Sequence, residues 1–114
     1  MGFKSDLCEI NRIQESNKIL LKYPTRIPII VEKHTNCKFN DINKKKYLVP
    51  KDMVMNQFIY IIRKRIKLES YQTLFVMVGD GLTSSNITLG EIYENRKDKD
   101  GFLYITYTSE NTFG

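Results

Sequence analysis

The sequence predicts an α+β domain: a four-stranded mixed sheet crossed by one helix and preceded by a helical N-terminal extension. Three observations lead there. Four short runs rich in β-branched and aromatic residues are spaced along the chain, at 27–31, 44–50, 74–78 and 102–107. One segment, 55–66, carries an apolar stripe at helical spacing. Two of the β runs precede that helix and two follow it, which is the order of a hairpin, a crossing helix and two further strands. The 114 residues suit one domain. With 41% hydrophobic and 11% aromatic residues they supply one core, and 27% charged residues make an ordinary surface. Long disorder, a collagen-like chain and a multi-domain enzyme are not expected.

The elements follow in order. Residues 1–23 read as helical, with Ile10, Ile13 and Leu20 on one face, until Tyr23-Pro24 stops the pattern, because proline disfavours a helical residue before it. Ile27-Pro28-Ile29-Ile30-Val31 is a continuous β run that suits a strand buried on both faces. Pro28 cannot donate to a ladder, so it belongs near the strand's start or beside an unpaired edge. Residues 34–43 read as a polar loop. Lys44-Lys45-Lys46-Tyr47-Leu48-Val49-Pro50 has lysines at its entry and proline at its exit, the marks of an edge strand protected against unwanted pairing. Such an edge can also accept a chosen extended peptide.

In the central helix Met55, Phe58, Ile59, Ile62 and Ile66 form the stripe, with Asp52 as the expected cap. Arg63, Lys64 and Lys67 lie off the stripe near the negative end of the helix dipole. Leu74 to Val78 is a strand closed by Gly79-Asp80-Gly81. Thr88-Leu89-Gly90-Glu91 is a capping box opening a short helix to about Lys97. Asp100-Gly101 turns the chain into the last strand, Phe102 to Tyr107, and residues 108–114 read as a mobile polar tail. This is the order of the ubiquitin-like β-grasp fold, with residues 1–23 as an addition, 24–107 as the core and 108–114 as the tail of a single domain.

The net charge of +5 is unevenly placed: residues 1–67 carry +9 and residues 68–114 carry −4. A basic front half admits nucleic acid, anionic membrane or acidic peptide partners. No zinc-finger, RRM or KH signature accompanies it, so no nucleic-acid partner is expected. Cys8 and Cys37 form no metal-binding spacing and no secretory signal precedes them, so they read as free thiols in a reducing cytosol. His34, the only histidine, lies in a polar loop with no nucleophile motif beside it, and neither a catalytic role, a metal nor a cofactor is expected. The longest apolar run, Ile27 to Val31, is far short of the ~20 residues that span a bilayer. Met1-Gly2-Phe3-Lys4-Ser5-Asp6 misses a myristoylation signal at Asp6.

Four collinear stretches carry a family resemblance: Lys18-Ile19 with Lys22 to Lys33, Asp41 to Pro50, Gln57-Phe58 with Ile62 to Ile66, and Asp100 to Tyr104. The chain resembles the autophagy-related protein eight family, the GABARAP-like ubiquitin-like modifiers, over nearly its whole length, and its terminal Gly114 fits. The resemblance implies two N-terminal helices. It implies conjugation through Gly114 to phosphatidylethanolamine by an activating and a conjugating enzyme, and handling by a processing and deconjugating cysteine protease. It also implies a cytoplasmic protein that becomes lipid-anchored on autophagosome membranes, and recruitment of receptors and adaptors with aromatic-x-x-aliphatic motifs. A non-conjugated peptide-binding scaffold, or a member serving another organelle, is the alternative.

For the peptide the resemblance implies an aromatic pocket of Glu15, Ile19, Pro28, Lys46, Leu48 and Phe102, and an aliphatic pocket of Tyr47, Val49, Pro50, Met53, Phe58 and Ile61. Arg26, Lys44, Lys45 and Arg65 would draw in acidic flanks. By pattern alone Ile19, Leu48, Phe58 and Ile61 read as core. Three departures from the family stand out. Glu9 replaces an aromatic that anchors the first helix, Met77 replaces an aromatic on a strand used in docking the protease, and Asn43 replaces an acidic residue before the lysines.

Overall fold

The computed structural model describes residues 2–79 and 81–109. Its elements are α1 (Phe3–Asp6), α2 (Glu9–Lys22), β1 (Arg26–Lys33), β2 (Lys46–Pro50), α3 (Met55–Arg65), β3 (Phe75–Val78), α4 (Leu89–Arg96) and β4 (Leu103–Thr108). The four strands form one mixed sheet in the order β2-β1-β4-β3. β1 runs parallel to β4, and the two outer pairs are antiparallel. This is the predicted ubiquitin-like architecture with two helices in front.

One face of the sheet is sealed by the predicted stripe. Met55, Phe58, Ile62 and Ile66 are fully buried against Ile27, Ile29 and Val31 of β1 and Leu103, Ile105 and Tyr107 of β4. The alternation of β1 sends Pro28, Ile30 and Glu32 to the other face. There α1 and α2 pack, and Phe102 and Ile30 are buried.

The cap of α3 differs from expectation. Val54, not exposed Asp52, occupies the N-cap, and its N–H donates to Gln57 Oε1 at 3.0 Å. The next amides donate to the Ile87 and Ser85 carbonyls, so a distant loop replaces a side-chain cap. At α4 the expected cap is present: Thr88 Oγ1 accepts from Glu91 N at 3.3 Å. The C-terminus of α3 closes with Lys67 N–H on the Lys64 carbonyl and Leu68 N–H on the Arg63 carbonyl. That closure puts Lys67 at φ +59°, the left-handed conformation normally given to glycine, which costs a side chain about 1–2 kcal/mol.

The N-terminal segment breaks into two helices at Leu7 and Cys8, both extended. Its inward face is also not the predicted one. Ile10 is 68% exposed and Ile13 and Leu20 are half-buried, whereas Arg12 and Ser16 are buried. These two meet Asp100, 1% exposed, in the turn before β4. Asp100 accepts from Arg12 Nε at 2.9 Å, Tyr104 OH at 2.6 Å and Phe102 N–H at 2.9 Å. Ser16 donates to the Asp100 carbonyl at 2.6 Å, and Arg12 donates further to the carbonyls of Lys4 and Leu7. Burial lowers the Arg12 pKa, but the Asp100 hydrogen bond outweighs it and the guanidinium is held charged more firmly than usual. Burial and the bond to Asp100 push the Tyr104 phenol far up. Gly101 turns at φ +91°, and a Cβ there would stand 2.3 Å from Ser16 Oγ, so glycine is required both by conformation and by the approach of α2.

Other boundaries shift slightly. β2 begins at Lys46, and Lys44 and Lys45 precede it. β4 begins at Leu103 and includes Thr108, which is buried, so the core runs one residue past the predicted tail boundary. Ser109 Oγ accepts from Lys38 N–H at 2.9 Å. Gly114 and most of the predicted tail lie outside the described residues, as does Asp80 of the predicted turn. Cys8 and Cys37 are free thiols.

Candidate functional site

β2 is an edge strand, and its hydrogen-bond phase decides what it offers. Val31 N–H donates to the Lys45 carbonyl and Lys51 N–H to the Thr25 carbonyl. Bonded pairs alternate in an antiparallel ladder, so Ile27–Val49 and Ile29–Tyr47 are bonded pairs while Pro28–Leu48 and Ile30–Lys46 are not. Two consequences follow. Pro28 sits at a position where β2 asks it for no N–H, and the β4 ladder begins only at Ile29, so proline costs this central strand nothing. The N–H and C=O groups of Lys46 and Leu48 point away from β1 along the free edge, ready for an added strand. Arg26 Nη1 donates a long 3.4 Å hydrogen bond to the Leu48 carbonyl, which an added strand would have to replace.

Apart from Pro50, which shares the phase of Lys46 and Leu48 at the strand's end, the two residue sets lie on opposite faces of β2. Lys46, Leu48 and Pro28 face α2, and there Lys46 Nζ makes an ion pair with Glu15 Oε1. Leu48, Glu15 and Ile19 are half-buried, and Phe102 is fully buried. A residue that sequence reasoning missed completes this cluster. Phe3 of α1 meets Phe102 edge-to-face at 5.0 Å between ring centroids, and Lys46 Nζ is 5.6 Å from its ring. Phe3 N–H donates to Glu32 Oε2 at 2.7 Å, and Lys4 pairs with Asp98 at 2.6 Å. The sequence marks Phe3 only as the sole aromatic before Tyr23, which is no pattern. It anchors α1, while Glu9 faces solvent toward Lys99 at 3.3 Å.

On the α3 face, Tyr47 and Val49 are buried, and the Tyr47 ring meets Phe58 edge-on at 5.4 Å. With Phe58 fully buried, these three belong to the core, and Pro50, Met53 and Ile61 are the members with surface to offer. Tyr47 OH is the one buried side-chain polar atom among the described residues with no hydrogen-bond partner. Burial raises its pKa and nearby Arg65 opposes the rise.

The four basic residues are not brought together. Arg26 is opposite Pro50 at one end of β2. At the other end Lys44 sits 5.1 Å from the Tyr47 ring, and Arg65 lines a hollow of about 390 Å³ with Asn43, Tyr60, Ile61 and Lys64. Lys45 turns away, toward Glu32, Lys33 and His34.

Comparisons with known proteins agree with this architecture. Residues 11–114 match the family model described as autophagy protein Atg8, ubiquitin like. The chain is 49% identical over 112 residues to autophagy-related protein 8e of Arabidopsis thaliana, covering 98% of this chain and 92% of that one. It is 47% identical over 113 residues to autophagy-related protein 8 of Kluyveromyces lactis, covering 99% and 91%. Among solved structures, Trypanosoma brucei ATG8 superimposes with a TM-score of 0.90 at 37% identity, covering 100% of this chain and 98% of that one. Plasmodium falciparum Atg8 in complex with a peptide of Plasmodium falciparum Atg3 superimposes with a TM-score of 0.88 at 32% identity, covering 96% and 97%.

Proposed function

The chain belongs to the Atg8 family of ubiquitin-like autophagy proteins, and from that premise we propose that it is a modifier conjugated through Gly114 to phosphatidylethanolamine, which then recruits receptors along the free edge of β2. The observation that carries the peptide half is the outward row of Lys46 and Leu48 backbone groups, with a side-chain cluster on either face of the strand. A ligand strand gains main-chain bonds from the edge. Its aromatic residue lies toward Leu48, Ile19 and Lys46, and its aliphatic residue toward Pro50, Met53 and Ile61. Arg26, Lys44 and Arg65 meet acidic neighbours at the two ends. Exposed ion pairs of this kind contribute about 0.2–1 kcal/mol each, so they tune rather than create affinity.

The conjugation half rests on family membership and on the solved relative that carries an Atg3 peptide. An activating enzyme must adenylate a main-chain carboxylate and a cysteine thiolate must then attack it. Glycine presents no side chain to obstruct either approach. In this scheme the chain is a substrate of enzymes and not a catalyst. It works in the cytoplasm and, once lipidated, on the autophagosome membrane, from which a cysteine protease releases it.

The test is reconstitution with activating enzyme, conjugating enzyme, ATP and phosphatidylethanolamine liposomes. Wild type is expected to give a lipid-shifted band and Gly114→Ala none, whereas no band from either chain would end the conjugation reading. In parallel, Leu48→Ala is expected to weaken an aromatic-x-x-aliphatic peptide several-fold while conjugation continues.

A further inference from the structure

We propose that the edge of β3 is a self-complementary pairing surface for a second copy of this chain, and that Gly81 and Arg96 keep it closed. The proposal stands apart from conjugation and from the reading of β2 as a peptide edge. β2 and β3 are the two outer strands of the sheet, where unpaired backbone groups invite another chain. The β2 edge carries the usual protection, with Lys44, Lys45 and Lys46 at its entry and Pro50 at its exit. Leu74-Phe75-Val76-Met77-Val78 has neither charge nor proline. An apolar run of high β propensity on an edge is the composition that joins copies into a shared sheet.

The hydrogen-bond phase shows how the edge is shut. Gly79 N–H donates to the Tyr104 carbonyl at 3.0 Å. Bonded pairs alternate, so Met77–Thr106 and Phe75–Thr108 are bonded pairs, and the backbone groups of Val76 and Val78 point outward. Those of Val78 are taken. Its N–H donates to the Gly81 carbonyl at 2.8 Å, and its carbonyl accepts from Gly81 N–H at 3.1 Å and from Arg96 Nη1 at 3.3 Å. Two copies pairing β3 antiparallel to β3 would share a twofold axis at Val76. Val76 would face Val76 in one bonded pair, and Val78 would face Leu74 on either side of it. With Val78 occupied only the central pair remains, and one pair makes no ladder.

Arg96 and Gly81 act together. Arg96 stands in the last turn of α4 and reaches across to β3. A Cβ on Gly81 would stand 3.0 Å from Arg96 Nη1, so the guanidinium lies against bare backbone and a side chain there displaces it. The bond also puts a charge over Val78, which a second copy would have to push aside or bury. The charge that β2 carries in its own sequence is thus lent to β3 by a helix 18 residues further along the chain.

The experiment compares wild type, Arg96→Ala, Gly81→Ala and the double variant by sedimentation velocity at rising concentration, with hydrogen exchange of the Val76 amide. Each single variant is expected to tighten self-association about ten-fold, and the double variant no further, since both act through one guanidinium. The Val76 amide is expected to exchange more slowly as each variant associates. Met77 is half-buried on this strand, and adding Met77→Lys to either variant is expected to return the behaviour of wild type, because a charge on the strand blocks pairing. Urea unfolding of every variant separates pairing from misfolding. Association that tracks lost stability and ignores Met77→Lys overturns the proposal. So do single variants that associate no more than wild type, or that associate with no protection at Val76.

Discussion

The two faces of the sheet are closed by different chemistry. On the α3 side the contacts are apolar and continuous, from Met55 and Phe58 to Leu103 and Tyr107. On the α1 and α2 side a charged network centred on Asp100 stands in the middle, with Phe3, Ile30 and Phe102 around it. An apolar face tolerates sliding and repacking, because its attraction is non-directional. A buried carboxylate is favourable only with its donors in place. The second face thus fixes one seat for α2, and with it the position of Glu15 and Ile19 beside β2.

The contrast can be broken from either side. Phe58→Ala is expected to have the largest effect, about 3–5 kcal/mol lost in urea unfolding, because a full aromatic volume leaves the core. Asp100→Ala follows at about 3 kcal/mol, because the Arg12 charge stays buried with only carbonyl partners. The double variant Arg12→Met with Asp100→Leu is expected to lose clearly less than Asp100→Ala. An equal or larger loss would mean that the pair itself is the source of stability. Gly101→Ala should cost about 2 kcal/mol, and Ser16→Gly in the same chain should restore part of it by removing the 2.3 Å approach. Full additivity of the two would rule out that contact.

The smallest expected effect is a pH dependence. Partial burial would raise the Asp98 pKa, but the hydrogen bonds from Lys4 and from Asp100 N–H outweigh it and hold the group below its ordinary 3.8. A lowered carboxylate pKa stabilises above the unfolded value and loses that contribution as pH falls through the folded value. The stability difference between wild type and Lys4→Ala is therefore expected to be constant from neutral pH to about 5 and to shrink steadily as pH falls below the ordinary carboxylate value. A difference that does not shrink at all as acid is added would show that Lys4 acts through its contact with Tyr104, 4.7 Å away, and not through Asp98.

Legibility divides along the same line. The α3 stripe, the β runs and the Thr88 cap were readable because each records burial or capping within a few neighbouring residues. The inward face of α2 was misread because periodicity counts apolar residues, and the face turned inward is Arg12 and Ser16, with Ile10 left in water. The Asp52 cap failed for a related reason: the amides it would have served go to the Ile87 and Ser85 carbonyls, some thirty residues away. At the site, Lys46, Leu48 and the half-buried Ile61 were named from the resemblance, but Phe3 was not, since one aromatic in four helical residues forms no pattern.

By itself the sequence determined the four strands, the crossing helix and the family, because local periodicity and collinear motifs suffice for these. Only the tertiary structure decided which polar groups are buried, which backbone groups of β2 face outward and where a lysine bears a left-handed turn. Arg12 and Asp100 stand 88 positions apart in the chain, and either alone would be costly to bury. Their burial is favourable only once the fold has brought them within 2.9 Å, and no window along the chain contains both.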